Sequence, residues 1–234
     1  MEHRMKLRLV SFCLALTLMG TVSPSPLVAQ DEKTTWDGLH LEKSSRSQRV
    51  YLLPGADFRP YTKVMLDPTE VAFRKDWARD FNRDTRDLGR RIGKDDIDRV
   101  TKEASTGFGD IFSDEYRQAG FQVVQAPGPD VLRIRTGVID LAVNAPDMKS
   151  ANRTYSASWE AGEATLVIEA RDSQTGALLG RALDRRLAGD TMPYLRNSVT
   201  NKADFKSLFR KWAKLSVDGL KRLQAQSPVN IARK

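Results

Sequence analysis

The chain has 234 residues, a formal charge of +8, one cysteine and two histidines. Cys13 and His3 both fall in residues 1–29, which read as a removable leader, so the rest of the chain holds no thiol and only His40 as histidine. This excludes disulfides, a thiolate nucleophile, Cys-ligated zinc and a histidine-rich metal centre there, and a Ser-His-Asp triad would have to recruit His40 from a polar segment.

Arg4, Lys6 and Arg8 precede an apolar run over residues 9–22 and a stretch ending in Leu27-Val28-Ala29. That is the pattern of a secretory signal peptide, with cleavage expected after Ala29. The run falls short of the about 20 residues a membrane-spanning helix needs. A periplasmic or secreted protein without a transmembrane segment is expected. A lipoprotein cut would need its cysteine at the end of the apolar run, whereas Cys13 lies inside it, directly after Phe12.

Residues 30–48 are polar and poorly periodic, so an irregular lead-in is expected. In "KVMLDPTEVAF", Val64 and Leu66 share one face of an extended chain, while Val71 and Phe73 share the other. Pro68 stands in the gap, predicting two short strands joined at an irregularity. The charge-rich "ARDFNRDTRDLGRRIGKD" reads as an exposed connection. Apolar residues recurring at three- and four-residue steps predict a helix over 95–119, with Asp95 as N-cap, Gly120 as stop, and Gly107 and Gly109 as weak points.

"FQVVQ" and "VLRIRTGVIDLAVNA" read as strands around a Pro-Gly turn, the second with a parity change that suggests a bulge at Gly137. "NAPDMKSANRTYSASWEAGE" is a polar connection with an edge strand expected near Tyr155. A hairpin follows, with Leu166, Ile168 and Ala170 alternating, a turn over 172–176 and a return over 179–183. The final helix is expected from Asn201, capped by Thr200 or Asn201. Two parity changes in two strands imply a bent sheet. The expectation is thus an α+β fold, a bent and mainly antiparallel sheet packed by two amphipathic helices. Its organisation would be a signal peptide over 1–29, the lead-in over 30–48, a single domain over 49–226 and a basic tail over 227–234.

Residues 201–234 carry nine basic and two acidic side chains, so the positive charge concentrates in the last helix. At 100° per residue Phe205, Leu208, Phe209, Trp212, Leu215 and Leu223 gather on one side, and Lys202, Lys206, Arg210, Lys214 and Lys221 on the other. Burying six large apolar side chains is worth about 10 to 15 kcal/mol gross, at about 1.5 to 3 each. A basic side chain near an anionic membrane contributes only about 1 kcal/mol. The apolar face therefore belongs on the sheet, and the basic face is free to meet an anionic envelope component or an acidic protein surface. The stripe lacks aromatic stacking residues, so nucleic acid is not an expected partner.

Asp67 and Glu70, followed by Arg74, Lys75 and Asp76, are the other cluster that draws attention. Two carboxylates serve as acid and base only when they face each other across a cleft, and the simpler expectation is that Asp67 bridges a strand irregularity. Arg133 and Arg135 share a strand face, and "LDRR" over 183–186 brings more charge onto a neighbouring strand; an anion-binding patch is the alternative, and ion pairs with Glu169, Asp140 or Asp184 are expected. "RNSVTN" before the last helix could hold an anion but reads first as its cap. Nucleophile-elbow, phosphate-loop and zinc-protease motifs are missing from the sequence, and no cofactor is expected. Asn152-Arg153-Thr154 forms a glycosylation sequon, relevant only in a eukaryotic secretory route.

The blocks "WDGLHLEKS", "YLLPGADFRPYTKVMLDPTEVAFRKDW", "FQVVQAPGPDVLRIRTGVIDLAVNAPD", "ATLVIEARDSQTGALLGRALDRR" and "NSVTNKADFKSLFRKWA" resemble successive blocks of a bacterial envelope family, domain of unknown function 3313. The resemblance runs over nearly the whole chain after the leader. It implies an exported Gram-negative protein, from a family in which lipoprotein signals are frequent, and brings no catalytic or binding residues. The leading expectation is a non-enzymatic periplasmic or envelope-associated binding or scaffolding protein. Its alternatives are a carboxylate-dependent hydrolase of an envelope polymer, and a small-ligand carrier, which needs an apolar pocket.

Overall fold

The computed structural model describes residues 33–84, 91–143, 156–158, 161–189, 194–196 and 198–230. Residues 1–32, over which the leader is expected, the sequon and residues 231–234 of the expected basic tail lie outside the described residues. Among the described residues ten strands and three helices follow in the order β1 (His40–Ser44), β2 (Gln48–Leu52), β3 (Lys63–Leu66), β4 (Glu70–Phe73), α1 (Trp77–Asp84), α2 (Lys94–Gln118), β5 (Gln122–Val123), β6 (Val131–Val143), β7 (Ser156–Ser158), β8 (Gly162–Asp172), β9 (Leu178–Ala188), β10 (Tyr194–Arg196) and α3 (Ser198–Gln226). Eight strands form one sheet in the order β1-β2-β9-β8-β6-β3-β5, with β4 also on β6, and β7 pairs with β10 separately.

The architecture is α+β in one domain. Four pairings from β1 to β6 are antiparallel, while β3 and β4 run parallel to β6, and β5 parallel to β3. The parallel end arises because α1 and α2 carry the chain from β4 back to β5, a helical crossover that a parallel neighbour requires. Helix α2 packs over β3, β4 and β5, and α3 over α2 and β9. Between them the side chains of Phe108, Phe112, Tyr116, Phe209 and Trp212 are buried, with Phe108 stacked on Phe112 at 4.2 Å and edge-on to Phe209 at 5.1 Å.

The opposite parities of β3 and β4 have a local cause. Leu66 sits opposite Ile134 and Glu70 opposite Gly137, so four steps on one strand match three on β6. The surplus residue lies in Asp67-Pro68-Thr69. Asp67 still donates its N–H to the Ile134 carbonyl at 3.0 Å. Pro68, with no N–H to leave unpaired, occupies the break. Thr69 turns inward, its hydroxyl 2.8 Å from that of Thr136, and its carbonyl accepts from Ser105 of α2 at 2.6 Å.

Several expectations need correction. The bulge in β6 is not at Gly137: Leu132, Ile134, Thr136 and Val138 keep one buried face, and the register slips between Ile139 and Ala142, where Asp140 adopts φ 53°. A left-handed residue at that point turns two successive side chains outward, and Leu141 and Val143 then resume the buried face. The polar lead-in contains β1, which is poor in apolar residues because it is the sheet edge and buries little. The charge-rich connection contains α1, anchored by Trp77, which stacks on Phe73 at 4.4 Å and donates to the Val143 carbonyl at 3.2 Å. Helix α3 begins at Ser198, so Asn201 is a buried residue of its first turn and not its cap.

Helix α2 runs unbroken through Gly107 and Gly109, because its buried aromatics outweigh their backbone cost. It starts after Gly93, not Asp95, and Asp96 accepts the Gly93 N–H at 3.1 Å. It stops at Gly120, where φ of 94° suits a residue without Cβ. The hairpin turn is held by Asp172, whose Oδ1 accepts from the backbone N–H of Thr175 at 2.7 Å and of Gln174 at 3.1 Å.

Candidate functional site

Helix α3 presents two faces because its sequence alternates them with helical period. Phe205, Leu208, Phe209, Trp212, Ala213, Val217 and Leu220 are buried, so the apolar face packs on the sheet and α2. Leu215 departs from its expected place. It is 37% exposed, since three residues past Trp212 the helix has carried it to the rim of the buried face, where the smaller Ala213 and Val217 fill the contact instead.

Lys202, Lys206, Arg210, Lys214 and Lys221 are all exposed along the opposite face. Lys202 is committed to the fold: its Nζ donates to Glu103 Oε2 of α2 at 2.9 Å and holds the Glu103 carboxyl below its ordinary range. Among the described residues, Lys206, Arg210, Lys214 and Lys221 make no ion pair, and Lys211 and Arg222 add exposed charge beside them. Asp218 is the acidic residue that interrupts the stripe.

The arginines on the other face of the sheet are differently disposed. Arg133 clasps Asp67, with Nε 2.9 Å from Oδ1 and Nη2 2.9 Å from Oδ2. Arg135 reaches Asp67 and Glu70 at 3.5 Å each. The ion-pair reading holds for Arg186, which takes Asp184 at 2.9 Å as expected, while Arg133 and Arg135 have other partners than expected, since Glu169 is taken by Arg171 and Arg181 at 2.8 and 2.9 Å. Asp67 lies beside Arg133 because β3 neighbours β6, a strand order that local sequence does not encode. The two carboxylates of this stretch therefore face arginines of the adjacent strand and not each other across a cleft, which removes the geometry that an acid–base pair needs.

The same face carries a second chain of charges. Arg181 bridges Asp37 at 2.7 Å and Glu169 at 2.9 Å, and Glu163 bridges Arg74 at 3.0 Å and Arg185 at 2.7 Å. Desolvation pushes the Glu169 carboxyl up, but guanidinium hydrogen bonds from Arg171 and Arg181 outweigh it and hold the group below the usual carboxylate range. A carboxylate lowered in the fold stabilises it above its unfolded pKa and loses that contribution as pH falls through the folded one. Wild-type stability is therefore expected to hold from pH 7 to about 5 and then decline. Glu169→Gln should be about 1 kcal/mol less stable at pH 7 and show a shallower acid decline. Urea titrations from pH 7 to 3 check this, and parallel acid slopes in the two proteins would contradict it.

Among the described residues no group of three His, Cys, Asp or Glu side chains is placed to hold a metal ion, and no helix is long and apolar enough to cross a membrane.

A family model described as "Protein of unknown function (DUF3313)" matches residues 29–216. No curated protein matches the chain. Among solved structures, a PelC dodecamer from Paraburkholderia phytofirmans is 14% identical, with 80% of this chain and 99% of that chain covered and a TM-score of 0.37. A putative neuraminyllactose-binding hemagglutinin homolog from Helicobacter pylori is 9% identical, covering 73% of this chain and 92% of its own, with a TM-score of 0.37. Protein XCC0632 from Xanthomonas campestris is 8% identical over 74% of this chain and 91% of that one, again with a TM-score of 0.37.

Proposed function

The chain belongs to the DUF3313 family, and from that premise we propose that it is an exported, envelope-associated binding or scaffolding protein that meets an anionic partner through the basic face of α3. The observation that carries this reading is a contrast in charge pairing. On the outer sheet face Arg133, Arg135, Arg171, Arg181 and Arg185 are each held by a carboxylate. On α3, Lys206, Arg210, Lys214 and Lys221 stand exposed in a row with no ion pair among the described residues. Unneutralised like charges on one rigid helix create a local field that attracts an anionic surface and weakens with salt. Export rests on the amino-terminal pattern of Arg4, Lys6 and Arg8 before an apolar run and Ala29.

Each basic side chain contributes about 1 kcal/mol near an anionic surface, so removing three lowers affinity about a hundredfold. Lys206→Glu, Arg210→Glu and Lys214→Glu together are expected to abolish crosslinking of the exported protein to its partner in intact cells. The wild-type interaction should also weaken as salt rises. All three positions are exposed, so the fold should survive the change. Crosslinking with unaltered salt dependence in the triple variant would place the contact elsewhere. Amino-terminal sequencing of the exported form is expected to begin at Gln30.

A further inference from the structure

The sheet lays seven strands side by side, with β4 following β3 along β6, and two long helices lie over it. Beside the carboxyl-terminal half of α3, the inner faces of β2, β9, β8 and β6 line a groove of about 220 Å³. Its floor is apolar, formed by Val50, Leu52, Leu132, Ile134 and Ile168, and Leu215, Leu220 and Leu223 of α3 form a wall. Space exists there because Ala170 and Ala182 bring little side-chain volume to the central strands. A dry cavity of about 150 Å³ lined by Leu, Ile and Phe accepts benzene, so this groove has room for a stretch of hydrocarbon chain. It also accounts for the exposed edge of Leu215.

Lys43 of β1 and Arg222 of α3 stand at the groove, both exposed and without an ion pair among the described residues, against the one acidic side chain lining it, Glu42. Inside, the hydroxyls of Tyr116 and Ser216 lie 2.7 Å apart. Tyr116 is 1% exposed, so the phenol is fixed in place. An apolar floor and a net positive rim are the features expected of a site for a molecule that is apolar along its length and anionic at one end.

We propose that the groove binds a fatty-acid-like amphiphile, with its aliphatic chain along the sheet and its anionic group toward Arg222 and Lys43. This site is separate from the basic stripe over Lys206, Arg210 and Lys214, and either can fail without the other.

The test uses dodecanoate below its micellar concentration, with uncharged dodecan-1-ol as comparison, followed by titration calorimetry on the full exported chain. Saturable binding of one dodecanoate per chain is expected. Ala182→Leu, which fills the floor, should weaken both probes at least tenfold. Arg222→Glu, an exposed change that leaves the core intact, should weaken dodecanoate several-fold and leave dodecan-1-ol unchanged. The triple charge reversal on the basic stripe should leave dodecanoate binding as it is. Failure of dodecanoate to bind, binding insensitive to Ala182→Leu in a variant that still unfolds cooperatively, or equal effects of Arg222→Glu on both probes would each overturn the proposal. So would a dimer, seen by sedimentation, that Ala182→Leu dissolves, because the groove would then serve a second copy of the chain.

Discussion

Phe108→Ala is expected to lower the unfolding free energy by about 3 to 5 kcal/mol. Phe108 is fully buried where α2 meets α3. Its ring stacks on Phe112 at 4.2 Å, stands edge-on to Phe209 at 5.1 Å and lies 6.5 Å from that of Trp212. Truncation removes hydrophobic transfer energy and leaves a cavity that rings from two rigid helices cannot collapse to fill. A domain of this kind is stabilised by about 5 to 15 kcal/mol in all, so the variant should unfold at a much lower urea concentration. Phe108→Leu keeps most of the volume and should cost far less. Equal losses for Ala and Leu would mean that ring geometry, and not volume, dominates the cluster.

Gly162→Ala is the second expected large effect, by a different mechanism. Gly162 has φ of 155°, and a Cβ built there would stand 1.9 Å from the Ala142 carbonyl oxygen and 3.1 Å from Cζ of Phe205. The obstacle is backbone of the neighbouring strand, just past the register slip in β6, so it cannot rotate aside as a side chain would. Loss of about 3 kcal/mol or more is expected from strain and displaced pairing. Gly107→Ala makes the informative contrast. Gly107 lies inside α2 with nothing within 4 Å of an added Cβ, and its φ is ordinary. There the same substitution should stabilise by about 0.5 to 1 kcal/mol, since alanine restricts the unfolded chain and favours helix. Paired urea curves check both signs at once, and a stable Gly162→Ala protein would show that β6 and β8 can separate locally at little cost.

How far such features could be read beforehand depended on their range in sequence. The α3 stripe was legible because Lys202, Lys206, Arg210 and Lys214 repeat every four residues, and one period places them on one face whatever the helix packs against. Loss of Lys202 to Glu103 was not legible, since it depends on how two distant helices lie together. The break at Pro68 was legible from parity, yet the β6 bulge was misplaced by two to three residues. Glycine is the usual signal for a bulge, and here Asp140 takes the left-handed conformation instead. Helix α1 was hidden because its charged residues outnumber its anchors, Trp77 and Phe81, and only contact with Phe73 and Val143 explains its position.

Local periods needed nothing beyond the order of residues: which residues of α2 and α3 turn inward, where the β8–β9 hairpin reverses, and that basic charge gathers in the last helix. These follow from geometry repeated over a few residues, so they need no knowledge of neighbours. The tertiary structure alone decided the strand order, and with it that Asp67 meets Arg133, that Glu169 lies between Arg171 and Arg181, and that Gly162 faces the Ala142 carbonyl. It also decided the groove beside α3, an apolar space enclosed by residues from β2 to α3 that no local pattern connects. Pairing between distant segments depends on which of many compatible faces meet, and that choice is made by the packing of the whole core.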